Sequence, residues 1–241
     1  MDRTFKSLYG LSFFNKNLFF EIVIENVGEL SKSSLEKHLK KYLQSGEIAR
    51  VGRNAYCVRG NLRNYKYDYS DLSIHIAKIL KDEFYDLDFR ISELYQMSRF
   101  LNHQIAHNVI FVFVEKELST SAFERLKKEY AGNILINPTE DDFFNYRRDD
   151  MIVVRNLLTE SPKGKNEVWH TDLEKILVDI FSENLIKATF SESEFPTIYE
   201  EAFGSYIIDE SQMFRYAKRR KSDGRIKRFI QEETDVKLRL E

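Results

Sequence analysis

The sequence predicts an α/β protein of the α+β kind: a small N-terminal helical unit closed by a tight hairpin, then an α/β domain with a helical C-terminal part. Three observations lead there. Leucines at helical spacing between Ser31 and Gly46 stop at a glycine and give way to two short strand-like runs. From Phe89 to Leu157 apolar strand candidates alternate with helical patterns, as sheets with some parallel pairing require. From Thr171 onward the pattern stays helical, with breaks expected at Phe195-Pro196, Gly204 and Gly224.

Residues 3–27 hold Leu8, Leu11, Phe14, Leu18, Phe19, Ile22, Val23 and Val27, enough apolar surface for one or two helices, with a break around Asn15 to Asn17. Gly28-Glu29-Leu30 reads as a turn with Leu30 pointing inward. Leu35, Leu39, Tyr42 and Leu43 then form the buried stripe of a helix. Ser33-x-x-Glu36 supplies a capping box at its start, with Ser31 competing as N-cap, and Gly46 accepts the left-handed C-cap. Ile48–Val51 and Ala55–Val58 follow as strands around Gly52-Arg53-Asn54, whose Gly and Asn tolerate positive φ. Helices, glycine turn and basic hairpin make a winged helix-turn-helix, expected over residues 1–60 as a DNA-binding domain.

At about 100° per residue, Ser33, Lys37, Lys40, Lys41 and Gln44 lie opposite the leucine stripe, with Ser34 and His38 on its flank. A major groove admits one such helix, and these side chains can meet base edges and phosphates. Arg50, Arg53 and Asn54 on the hairpin would reach the neighbouring backbone or minor groove. A solvated lysine face is the competing reading of the helix alone. Charge supports the first reading: residues 1–60 hold ten Lys/Arg against six Asp/Glu, +4, within a chain of net charge −2, which leaves −6 for the remainder.

Gly60 to Ser70 is polar and tyrosine-rich and reads as a linker (61–70), with Asn64, Tyr65 and Lys66 favoured for packing between domains over touching DNA. Residues 71–241 form the second domain: a helix from Asp71 to Phe84, a strand at Phe89–Ile91, a helix over Ser92–Leu101, and a doubly covered strand at Val109–Val114. A helix from Ser119 or Thr120 to Tyr130 comes next, then strands at Asn133–Ile136 and Met151–Leu157. A polar loop, Leu158–Glu167, leads to a capping box at Thr171-x-x-Glu174 and a helix burying Leu173, Ile176, Leu177 and Ile180. Glu174 is expected on that cap, and Asp179 in a surface i,i+4 pair with Lys175.

Catalytic and metal constellations are thin. His103 and His107 sit at zinc-peptidase spacing, but Gln104 stands where a general-base glutamate is needed. Glu115-Lys116 falls short of a restriction-type nuclease motif because adjacent strand residues point to opposite faces. There is no glycine-rich phosphate loop and no Ser-His-Asp or Cys-His set, so neither enzyme activity nor a cofactor is expected. The single cysteine, Cys57, reads as a buried thiol of a reducing cytoplasm. No apolar run spans a bilayer and the N-terminus lacks signal-peptide regions, so a cytoplasmic protein without membrane contact is expected. Arg215–Lys221, with Arg225, Lys227 and Arg228, is a second basic surface, suited to nucleic acid, an acidic partner or solvent alike.

Ser45-Gly46-Glu47-Ile48-Ala49-Arg50-Val51-Gly52-Arg53-Asn54-Ala55-Tyr56, with the preceding Leu39, the mid-chain Asn137-Pro138, the helix Leu173–Asp179 and the late Tyr216-Ala217-Lys218-Arg219-Arg220, resembles the AbiE-type antitoxins of type IV toxin–antitoxin systems over most of the chain. The resemblance implies a transcriptional repressor that binds inverted repeats in double-stranded operator DNA. It also implies a C-terminal domain that counteracts a nucleotidyltransferase-like toxin in phage defence. In that picture Ser33, Lys37, Lys41, Arg50 and Arg53 map onto recognition helix and wing, and Lys175, Lys218, Arg219 and Arg220 onto the C-terminal motifs; Asp179 joins them as a candidate partner surface. A restriction-endonuclease-like enzyme and a winged-helix protein-interaction adaptor are the alternatives.

Overall fold

A computed structural model describes residues 3–101 and 104–239. The chain is mixed α/β. Helix α1 (Arg3–Tyr9) is followed by α2 (Lys16–Val27), whose N-cap Asn15 accepts from Leu18 N, placing the break where the asparagines lie. Between them Phe14 exchanges both backbone hydrogen bonds with Tyr56, at 2.8 and 2.9 Å. Helix α3 (Lys32–Ser45) is capped by Ser31, whose Oγ accepts from Ser34 N at 3.2 Å. Of the two candidate caps, Ser31 therefore holds the role and Ser33 is left exposed. Gly46 adopts φ 75, the left-handed cap that stops α3.

Strands β1 (Ile48–Gly52) and β2 (Ala55–Val58) pair antiparallel. The bulge between Arg50 and Gly52 makes the turn shorter than expected: Gly52 is a strand residue, and Asn54 alone takes positive φ, at 56°. One face of the hairpin joins Leu35, Leu39, Tyr42, Phe19 and Phe14 in the first core. Its other face, Ala49, Val51, Ala55 and Cys57, closes on Ile207 of the second unit.

The linker is built into the fold. Arg63 exchanges backbone hydrogen bonds with Ser205 and Ile207, and Tyr65 is buried in the large core as the packing reading expected. Tyr67 donates to Glu93 Oε2 (2.8 Å) and Tyr69 to the Ile91 carbonyl (3.1 Å). Asn64 and Lys66 are exposed.

The second unit runs α4 (Asp71–Glu83), β3 (Phe89–Glu93), a 3-10 helix over Leu94–Phe100, β4 (Val109–Val114), α5 (Ser119–Tyr130), β5 (Ile134–Ile136), α6 (Glu140–Tyr146) and β6 (Met151–Asn156). The sheet order is β3-β4-β6-β5, with β3 antiparallel to β4 and the other pairs parallel. Side chains alternate between two cores, as a strand covered on both sides demands. Ile110, Val112 and Val114 meet α4 and α5, while Val109, Phe111 and Phe113 meet the C-terminal helices. Those are α7 (Leu173–Ser182), α8 (Asn184–Lys187), α9 (Phe195–Ser205), α10 (Glu210–Arg219) and α11 (Asp223–Glu233).

Four local expectations are corrected. The full helix expected over 92–101 is a tight 3-10 turn, opened by a reciprocal Glu93–Gln96 box. Thr171 does not cap α7; its hydroxyl donates to the Ile91 carbonyl at 2.7 Å, and Glu174, buried to 1 %, accepts from Asp209 N. Phe195-Pro196 opens α9, where a missing N–H costs nothing. Gly204 and Gly224 lie inside the ends of α9 and α11. No helix among the described residues is long and apolar enough to cross a membrane.

Candidate nucleic-acid interface

Helix α3 turns Leu35, Leu39 and Tyr42 into the first core, so the opposite face must meet solvent. Ser33, Lys37, Lys40, Lys41 and Gln44 are all exposed, and Ser34 and His38 are half-buried at the edge of the face. Ser34 Oγ shares a hydrogen with Ser31 Oγ at 3.0 Å, so it serves the cap first. The only carboxylate on the helix, Glu36, is held in an ion pair by Lys16 of α2. None of the three exposed lysines has an ion-pair partner among the described residues. The positive field on this face is therefore not neutralised from within, and fourteen residues at about 1.5 Å each give a rod about 21 Å long.

The hairpin is braced rather than free. Arg53 N donates to Ser211 Oγ on α10 at 2.8 Å, which fixes the tip against the second unit while the Arg53 side chain stays exposed. Arg50 is also exposed, and its Nε donates to the Gly52 carbonyl across the bulge at 3.0 Å. Asn54 holds the turn together, since its Oδ1 accepts from Lys16 N at 3.2 Å and its backbone supplies the positive φ. Its amide nitrogen is left for a ligand. Cys57 is a free, buried thiol, pushed above its ordinary pKa by burial.

The C-terminal group is mostly interior, contrary to a partner surface. Lys175 is fully buried and paired with Asp179, itself buried to 1 %. The ammonium lies 3.4 Å from the centroid of the Phe113 ring. Tyr216 donates to Asp179 Oδ1 at 2.9 Å. Arg220 reaches Glu183 at 3.0 Å and Asp179 at 3.6 Å. Burial lowers the Lys175 pKa; burial also acts to lower Arg220, but the carboxylates of Asp179 and Glu183 outweigh it and raise it. Lys175 and Asp179 thus cannot meet a partner, and Arg220 presents little of itself. Their i,i+4 spacing looks like a surface pair because sequence does not reveal that α7 is buried on every side from Leu173 to Ile180. Lys218 and Arg219 remain exposed.

Of the paired histidines, His103 lies outside the described residues, and 104–108, which includes His107, has no helical backbone. Among the described residues no three His, Cys, Asp or Glu side chains converge to hold a metal ion. Glu115 and Lys116 do not oppose each other across a strand as expected, because β4 ends at Val114 and both line one cleft. Sequence reasoning missed that cleft; its signal was Arg90, a charge between Phe89 and Ile91 in an apolar strand.

No curated protein matches the chain. The profile described as a family of unknown function (DUF6577) matches residues 34–236, from the first turn of α3 through the hairpin and nearly all of the second unit. Nearly all of the basic helix face, the hairpin and the second unit that braces the hairpin thus fall within one matched stretch, and the chain belongs to the DUF6577 family.

Proposed function

We propose that this protein is a sequence-specific DNA-binding transcriptional repressor whose N-terminal unit is a winged helix-turn-helix. The observation that carries the reading is the outward face of α3. Three exposed lysines, a serine and a glutamine line it, and its one carboxylate is already bound to Lys16. The order of elements supports it: helix, a single bridging strand residue at Phe14, two helices, and a hairpin carrying Arg50 and Arg53. Set in a major groove about 12 Å wide, α3 would offer Ser33 and Gln44 to base edges and its lysines to phosphates. Arg50 and Arg53 would follow the flanking backbone. With the antitoxin-like resemblance, the operator is an inverted repeat at the protein's own promoter. The second unit then answers to a nucleotidyltransferase-like toxin, with Lys218 and Arg219 as its accessible cations.

A mobility-shift titration with upstream DNA over a salt series tests this. Each phosphate contact contributes a slope of about −0.9 in log affinity against log salt. Lys37→Ala with Lys41→Ala should therefore flatten the slope by about 2 and weaken binding, with an unchanged melting temperature. No retention at low salt, or retention indifferent to these changes, would overturn the reading and leave a protein-binding adaptor.

A further inference from the structure

Beyond the carboxyl ends of β4 and β6, where Val114 pairs with Asn156, the sheet opens into a cleft of about 710 Å³. That volume suits a small organic ligand, and the carboxyl edge of parallel strands is where open α/β sheets hold one. The floor is Arg90, buried to 1 %. Its Nε donates to the Pro162 carbonyl, and Nη1 to Asp88 and the Phe89 carbonyl. Nη2 has no partner among the described residues. Two further lining atoms, Asn156 Oδ1 and Ser161 Oγ, are buried without a hydrogen bond among the described residues, a costly state unless something fills it.

Charge at the rim is unbalanced. Asp88 is bound to Arg90, Glu160 to Arg215 at 3.0 Å, and Glu115 accepts from Asp88 N at 3.3 Å. Among the described residues Lys116, Lys163 and Arg219 line the cleft without an ion pair, against the carboxylates of Glu115 and Glu117, which leaves one positive charge in excess. A ligand that fits must be anionic, to meet these donors, and must also carry N–H or O–H groups, to meet Asn156. Leu157 and Leu158, half-buried on the wall, add an apolar strip against which a flat ring can lie. Phosphate alone would leave Asn156 unanswered and most of the space empty.

We propose that this cleft binds a free nucleoside 5′-mono- or diphosphate, its phosphate on Arg90 and the rim cations and its sugar or base donors on Asn156. The site does not depend on the DNA reading, and its test contains no DNA.

Titration calorimetry of the full chain with the mono- and diphosphates of adenosine, guanosine, cytidine and uridine, with inorganic phosphate and the free nucleosides as separate arms, decides it. At least one nucleotide should bind about tenfold tighter than either inorganic phosphate or its nucleoside. Lys116→Ala with Lys163→Ala should weaken that nucleotide by about tenfold or more, and Asn156→Ala should narrow its margin over inorganic phosphate. Lys128→Ala, exposed on α5 and outside the cleft, should change nothing. No nucleotide binding at about 1 mM, binding that survives loss of both lysines, or an equal loss with Lys128→Ala would each overturn the proposal.

Discussion

Replacing Lys175 by Met keeps the length of the side chain and removes its ammonium from the core. Asp179 would then stay buried without its nearest partner, with the Tyr216 hydroxyl at 2.9 Å and Arg220 at 3.6 Å as what remains around it. Breaking a buried pair costs about 3–5 kcal/mol. Because Arg220 still opposes the charge, the lower end applies, about 3 kcal/mol. An unfolding entropy of about 2 cal/mol/K per residue over 241 residues makes each degree worth about 0.5 kcal/mol. The melting temperature by far-ultraviolet circular dichroism at neutral pH should therefore fall by about 6 °C. Adding Asp179→Asn removes the stranded charge while leaving an acceptor for Tyr216, and should restore about half the loss. If α3 holds DNA as proposed, retention measured well below the transition should not change. A melting temperature within about 1 °C of the parent would refute the burial reasoning; a normal melt with lost partner binding would return Lys175 to a surface role.

Other expectations are narrower. Ser31→Ala removes the acceptor for Ser34 N and should cost about 1 kcal/mol, about 2 °C, whereas Ser33→Ala should be neutral; the reverse order in thermal melts would put the cap on the wrong serine. His170 packs against Tyr69 and Trp169, and burial lowers its pKa below the ordinary 6.5. The folded chain then binds fewer protons than the unfolded chain just below pH 6.5, so stability should fall as pH drops through that window. Denaturant midpoints should show this slope, and His170→Phe should flatten it.

Where a short-range rule governs, the sequence was readable. The leucine stripe and Gly46 bound α3, and six apolar residues from Val109 to Val114 mark a strand covered on both faces. Helix α6 escaped because seven residues with one buried side chain, Phe143, make too few turns for periodicity to register. The Lys175–Asp179 pair was legible as an i,i+4 contact but not as an interior one, since the helices that enclose it come later in the chain. The cleft was invisible for the same reason: Arg90, Asn156 and Arg219 are brought together only by the sheet order. On α3 the accessible side chains fell where the helical wheel put them, while Asn54 proved partly committed to Lys16.

Helix α10 touches two neighbours. Ser211 near its start grips the backbone of the hairpin tip, and Gln212, Arg215 and Arg219 along its length form one wall of the cleft. The helix has ten residues, so a ligand that displaced it along its axis would also move Ser211 at the tip. Whatever occupies one end must alter the affinity at the other by the same factor in both directions, if it alters it at all.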